Sequence, residues 1–314
     1  MNYLYSCCDF TGAVNEGPSD ILKHVGRGVI ALDYSHQIRM TLRDALTEAS
    51  VSIERRDAET MLAHLLERDR AWLLAYPEAE ITPPQLTQFC AMVSRRAARE
   101  PLQYITGVQE FFGLPLRVTP DTLIPRPETE HLVEAVIAWA AAQPRTLSRL
   151  RILDVGTGSG AIAIALARQL PDAEIFAGDV SVTALAVARD NAERQRAHIH
   201  FAASDLLAAF AEHPLFDAIV ANPPYVPDID GAMLQAEVRD FEPRVALFGG
   251  TDGLDLYRRL IPQAYAALRT GGLLAMEFGF GQQEPLTTLL EGWQDVRFLD
   301  DYAGIPRIAL AQRA

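Results

Sequence analysis

The chain has 314 residues, 49% hydrophobic and 22% charged, with 20 glycines and 19 prolines, which excludes disordered, collagen-like and low-complexity classes and makes two domains the first expectation. With 28 basic against 41 acidic residues the net charge is −13, so the overall basic footprint of a nucleic-acid binder is missing. No apolar run approaches the roughly 18 residues of a membrane span, and Cys7, Cys8 and Cys90 are too few for a disulfide framework, so a reducing cytoplasm is the expected compartment.

Residues 1–39 hold the only lysine, Lys23, and two of the cysteines. They show no sustained helical period and no basic-then-apolar secretory signal. They are expected to form an extension outside the folded domains, a structured arm packed on the body being the alternative, with Met40 opening the first clean pattern.

From Thr41 to Ala98 the chain reads as helices, and residues 40–107 are predicted to form a small bundle of three to five. Thr41 can cap a helix with Leu42, Ala45, Leu46 and Ala49 on one face. Asp57 can start a second, carrying Ala58, Met61, Leu62, Leu65 and Leu66. Thr82-Pro83-Pro84 is a helix-start signal. The helix after it ends in Arg95, Arg96 and Arg99, read as a solvated helix end. Such a bundle fits partner recognition or structural support. Gln103–Gly107 and Glu110–Val118 are read as extended segments or a hairpin, and Pro120, Pro125 and Pro127 stiffen the stretch beyond them. Residues 108–127 are therefore assigned to an inter-domain connector. A helix over Glu128–Ala142 comes next, its acidic first turn matched to the helix dipole.

From Arg151 strands and helices alternate. Strands are predicted at Arg151–Val155, Glu174–Gly178, His198–Ala202, Phe216–Ala221, Gly272–Phe278, Asp295–Leu299 and Arg307–Ala311. Helices are predicted at Ala161–Leu170, Val182–Arg194 and Leu254–Leu268. This alternation means a mainly parallel sheet covered on both faces, an α/β fold over residues 128–314. Ligands of such sheets bind beyond the carboxyl ends of the strands.

Two motifs fall there. The first, Asp154-Val155-Gly156-Thr157-Gly158-Ser159-Gly160, lets the backbone turn sharply and approach a ligand, with helix amides immediately after it. The spacing also fits a dinucleotide fingerprint or a bare tight turn. Asp154 stands near a place for a cationic ligand part. Asp179, 25 residues on, is placed to accept ribose hydroxyls, and Ser204-Asp205 adds an acid that could equally cap a helix. An acidic rim suits S-adenosylmethionine, a sulfonium without phosphates, better than NAD.

The second motif is Asn222-Pro223-Pro224-Tyr225. The prolines make a rigid loop without amide donors. The Asn222 side-chain carbonyl and the Pro223 main-chain carbonyl can each accept one hydrogen of a planar NH2 group, and Tyr225 can stack on its face. The alternative is a loop closing a strand, with Tyr225 in the core. Such a grip holds a delocalised nitrogen toward an incoming methyl group and stabilises the positive charge developing on it. No metal or covalent intermediate is needed. His198, His200 and His213 lack metal-ligand spacing.

Together these residues resemble the class I S-adenosylmethionine-dependent methyltransferases that act on planar nitrogens. Glu100–Gly107, Leu123–Glu130 (with Pro125-Arg126-Pro127-Glu128-Thr129-Glu130) and Arg239-Asp240-Phe241-Glu242-Pro243 narrow the resemblance to the PrmC/HemK family, over about residues 40–314. The resemblance implies a Rossmann-like seven-stranded sheet with an amino-terminal helical domain that recognises substrate. It implies methyl transfer from S-adenosylmethionine to the side-chain amide N5 of the Gly-Gly-Gln glutamine in class 1 peptide chain release factors, leaving S-adenosylhomocysteine, with a monomeric enzyme expected. By position it assigns the cofactor to Gly156, Thr157, Gly158, Ser159, Gly160, Asp179, Asp205, Leu206 and Asn222. Leu206 stands where some members carry an aromatic against adenine. The substrate clamp falls on Asn222, Pro223, Pro224 and Tyr225, with Asn222, Pro223 and Tyr225 catalytic, while Arg126 and Glu128 are expected to shape the cleft, helix capping being the alternative for Glu128.

The main competitor is an adenine-N6 methyltransferase acting on DNA or RNA, which would need phosphate contacts. Residues 126–314 carry 16 basic against 25 acidic residues. A cofactor-binding module without catalysis, or an NAD-dependent oxidoreductase, leaves the Asn222–Tyr225 loop without a role.

Overall fold

The computed structural model describes residues 40–143, 149–210, 214–301 and 303–314. The readings of residues 1–39 and of His213 lie outside the described residues. The chain divides into two compact units, one ending at Thr106 and the other running Gly107–Ala314.

In the first unit β1 (Met40–Thr41) pairs antiparallel with β2 (Glu80–Ile81). Between them lie α1 (Leu42–Ala49), α2 (Arg55–Leu65) and α3 (Arg70–Ala75); α4 (Pro83–Ala97) and α5 (Leu102–Thr106) come after. Thr41 caps α1 by accepting the Asp44 amide, and Asp69 caps α3 by accepting the Trp72 amide. Leu42, Leu46, Met61, Leu62, Leu73, Phe89 and Ile105 form the buried core. The segment Gln103–Gly107, expected as extended, is instead largely the helix α5. Its start is set by Pro101, whose carbonyl accepts the Tyr104 and Ile105 amides, and burial of Tyr104 and Ile105 holds it. The arginine cluster is not simply solvated. Arg95 grips Glu100 through two nitrogens, and Arg96 pairs with Asp57 at 2.6 Å across α2 and α4.

The second unit opens on the hairpin β3 (Val108–Phe111) and β4 (Leu114–Arg117). Its two-residue turn, Phe112-Gly113, takes positive φ at both positions, the geometry that matches strand twist. A 3-10 turn (Pro127–Thr129) leads into α6 (Glu130–Ala142). Glu130 accepts the Phe112 amide at 2.8 Å, and Phe111 and Leu116 are buried with Leu132, Val133 and Val136, so the hairpin is part of this unit's core.

The alternation then appears as β5 (Arg151–Val155), α7 (Ala161–Gln169), β6 (Glu174–Asp179), α8 (Val182–Gln195), β7 (Ile199–Ala203), β8 (Phe216–Ala221), α9 (Ala236–Phe241), α10 (Asp255–Ala267), β9 (Leu268–Glu277), α11 (Gln283–Leu289), β10 (Gln294–Asp300) and β11 (Pro306–Gln312). The seven strands run in the order β10-β11-β9-β8-β5-β6-β7. All pairs are parallel except those made by β11, which lies antiparallel to both β9 and β10. Ile152 and Leu153 of β5 enter opposite core clusters, as strand alternation requires of a sheet buried on both faces. This is the seven-stranded, mostly parallel sheet that the resemblance implies. β9 starts four residues earlier than Gly272, because Arg269–Gly272 bulge out of the ladder between Phe216↔Leu268 and Ala218↔Leu273.

Candidate active site

Parallel register builds the site. Gly178, Val155, Ala221 and Met276 stand in one row across β6, β5, β8 and β9. The next residue of each chain segment is therefore Asp179, Gly156, Asn222 and Glu277. With neighbouring strands about 4.8 Å apart, four widely separated stretches of sequence converge on one sheet edge.

The glycine loop is shaped by its surroundings. The Gly156 and Thr157 amides donate to the Gly178 carbonyl at 2.9 and 3.0 Å. Gly156 and Gly158 hold φ of +73° and +55°, and a Cβ on either would meet nothing within 4 Å, so open space lies beside bare backbone. Gly160 is different: a Cβ there would stand 3.0 Å from Ile164 and 3.2 Å from Ala188, so this glycine lets α7 pack on α8. Asn191 of α8, fully buried, donates to the Ser159 carbonyl and to the Arg117 carbonyl, and accepts the Arg117 amide. Sequence reading missed it, because nothing in a helix pattern marks one polar residue as turned inward.

Asp154 does not form an exposed rim. It is fully buried; its Oδ2 accepts the Thr157 hydroxyl at 2.7 Å and the Ala163 amide at 3.2 Å, fixing loop to helix. Its Oδ1 is buried without a partner among the described residues. Burial, against those hydrogen bonds, raises its pKa to about 7. Thr157 and Ser159 are buried, which leaves their backbone as what they can offer a ligand.

Asp179 is held from both sides: Oδ2 accepts the Gly158 amide and Oδ1 the Ser181 amide, each at 2.8 Å. Each oxygen keeps a second lone pair for a hydroxyl hydrogen. Asp205 has another partner; its carboxylate pairs with Arg259 of α10 at 2.6 Å and is exposed. Leu206 adopts φ +51° and is buried in the cluster with Val155 and Leu207. Bare glycine backbone, a doubly braced carboxylate and an unpartnered buried carboxylate oxygen fit a nucleoside ligand with a cationic part.

Asn222 donates through Nδ2 to the Thr129 hydroxyl at 3.1 Å. The Thr129 hydroxyl lies 2.6 Å from Glu277 Oε2, and the Tyr225 hydroxyl 3.5 Å from Oε1. Glu277 is 2% exposed, and burial pushes its pKa to about 7 despite the Thr129 hydrogen bond and Arg307. Burial also raises the Tyr225 phenol, with Glu277 adding to the shift. Neither Asn222 Oδ1 nor the Pro223 carbonyl receives a hydrogen bond among the described residues. Close glycines press the loop into place. A Cβ on Gly249 would stand 2.5 Å from the Pro224 oxygen, and one on Gly253 would collide with the Tyr225 oxygen. Arg126 meets the buried Glu242 at 2.5 Å, while Glu242 also accepts the Ile124 amide. That contact joins two of the three family-specific segments. Glu128 is exposed.

Thr129 and Glu277 were not singled out by sequence reading. A lone acid ending the apolar run Leu273–Met276 was the available signal.

Comparison with known proteins finds two family profiles. The PrmC N-terminal domain profile matches residues 37–107, and the methyltransferase small domain profile matches residues 140–238. A protein of Koribacter versatilis named release factor glutamine methyltransferase is 42% identical over 281 residues, covering 87% of this chain and 99% of its own length. One of the same name from Escherichia coli is 41% identical over 285 residues, covering 90% and 99%. Among solved structures, the hMettl16 catalytic domain in complex with a MAT2A 3′UTR hairpin shares the fold, with TM-score 0.52 and 17% identity over 78% of this chain and 93% of that one.

Proposed function

The chain belongs to the release factor glutamine methyltransferase family, and on that premise we propose that it methylates the side-chain amide N5 of the glutamine in the Gly-Gly-Gln motif of class 1 peptide chain release factors. The observation that carries this reading is the register row, which sets Asn222, with a carbonyl oxygen still free to accept, one strand away from the glycine loop.

S-adenosylmethionine would lie along Gly156–Gly160, with Asp179 taking the ribose hydroxyls. When bound it would supply an electrophilic methyl, with the N–C bond forming as the C–S bond breaks, the electron pair staying on sulfur to leave S-adenosylhomocysteine, and one proton leaving the nitrogen. The chain's own contribution is orientation and charge. Asn222 Oδ1 and the Pro223 carbonyl accept the two amide hydrogens, and Tyr225 covers the flat face. An amide nitrogen is a weak nucleophile, so holding it in line matters more than deprotonating it; such positioning is worth up to roughly 7–11 kcal/mol in favourable systems. The accepting oxygens also stabilise positive charge as it develops on nitrogen. The helical unit, residues 40–107, recognises the body of the release factor, and the enzyme works as a cytoplasmic monomer.

The test incubates the protein with labelled methyl donor, a purified class 1 release factor and DNA together. Label on the Gly-Gly-Gln glutamine supports the reading. Label on DNA would move the assignment to adenine-N6 methylation.

A further inference from the structure

We propose that Thr129 and Glu277 are positioning residues that fix the direction of the Asn222 carboxamide, so that its carbonyl rather than its NH2 meets the substrate amide. The inference rests on the clamp reading above and adds to it a reason why Asn222 faces the correct way.

The two ends of a carboxamide are nearly the same size, so shape alone does not orient it. Hydrogen counting does. The Thr129 hydroxyl has one hydrogen and stands between Glu277 Oε2 at 2.6 Å and Asn222 at 3.1 Å. A carboxylate can only accept. The hydroxyl must then spend its hydrogen on Glu277 and can meet Asn222 only as an acceptor. Asn222 answers with Nδ2, and Oδ1 is left for the substrate. Protonation of Glu277 reverses the chain: the acid donates to Thr129, the hydroxyl can donate to Oδ1, and Asn222 turns two N–H donors toward a substrate that also presents N–H.

The three residues come from separate places, the 3-10 turn before α6, the end of β9 and the loop after β8. Both inner members of the relay are shut away from water, with Thr129 at 4% and Glu277 at 2% exposure. Other groups face Glu277. Arg307 of β11 and the Asn222 carboxamide, as a direct donor to the carboxylate, favour its charged form, and Glu128 of the 3-10 turn opposes it. The Tyr225 hydroxyl approaches Oε1, and the Tyr257 hydroxyl of α10 donates to the Glu277 main-chain oxygen at 2.7 Å. Burial dominates among them, so the relay changes direction in the neutral range. A glutamate is costly in such a place unless its charge is used.

The experiment compares wild type, Thr129→Val, Thr129→Ser and Glu277→Gln as full chains, with a purified class 1 release factor and S-adenosylmethionine. Thr129→Val keeps the shape and removes the hydroxyl; kcat should fall about 10- to 100-fold with cofactor affinity and KM changed less than about threefold. Thr129→Ser should restore most of kcat. Wild-type kcat should rise along an acid limb centred near 7, and Glu277→Gln should lose that limb. If Thr129→Val does not fold, the serine variant and the two pH profiles still decide. Unchanged kcat in Thr129→Val, or an acid limb surviving in Glu277→Gln, would overturn the relay and leave the clamp standing. Wild type failing to methylate the release factor would overturn both.

Discussion

Val155 and Ala221 are partners across two parallel strands, and the next residue after each, Gly156 and Asn222, leaves the sheet on the same row. The glycine loop and the Asn222 loop, proposed for cofactor and substrate, are thus neighbours through hydrogen-bond register. Moving one strand by a single residue would turn every side chain to the other face, so the buried runs of β5 and β8 protect the geometry of the site.

Asp179 completes the row on the other side. Its carboxylate braces the Gly158 and Ser181 amides and faces the expected ribose. In Asp179→Ala both amides lose an acceptor and the ligand loses two contacts. We expect affinity for S-adenosylmethionine to fall at least about tenfold, roughly 1.4 kcal/mol or more. Isothermal calorimetry reads this directly; an unchanged dissociation constant would remove Asp179 from the cofactor site.

Gly160→Ala should act on stability. The residue sits at φ +85° and a Cβ there crowds Ile164 and Ala188. Left-handed strain and overpacking each cost about 1–3 kcal/mol. Urea unfolding should show a loss of that order, whereas Gly113→Ala, with the same sign of φ but open space, should lose less.

Arg126 and Glu242 test whether the family-specific segments are joined for stability. Glu242 is 1% exposed at its side chain and Arg126 32%. Arg126→Met strands a buried carboxylate, and breaking such pairs costs roughly 3–5 kcal/mol. Arg126→Met with Glu242→Gln should cost clearly less than the single change. Equal losses would mean that the ion pair is not what holds these loops together.

Much of the architecture is legible in the sequence. Element order, the parallel sheet, the glycine loop and the Asn222–Tyr225 loop all come from local patterns of strand, turn and cap. What stays hidden depends on distance along the chain. Thr129 meets Glu277 across 148 residues, and Asp205 meets Arg259 across 54. The start of β9 at Leu268 stays hidden because Gly271-Gly272 interrupts the apolar run before Leu273. Asp154 reads as a rim residue because its burial comes from Thr157 and Ala163 folding over it. Gln103–Gly107 reads as extended because its β-branched residues hide the helix start supplied by Pro101.

Asp154 and Glu277 set a pH dependence of stability. Their folded pKa values of about 7 lie above the ordinary 3.8 and 4.5, so the unfolded chain ionises first. Their contribution is fully present below about pH 4 and is lost as pH rises through 7, by an amount on the order of 4 kcal/mol for Asp154 and about 3 kcal/mol for Glu277. Unfolding free energies measured between pH 4 and 8 for wild type and Asp154→Asn should diverge over this window. Parallel curves would contradict the shift at Asp154.

The most direct measurement is single-turnover methyl transfer to a purified class 1 release factor by Asn222→Ala, alongside its affinity for S-adenosylmethionine. With one of two accepting oxygens gone, transfer should fall by about 10²–10³ or more, while cofactor binding changes little. Near-normal transfer by this variant would contradict the clamp.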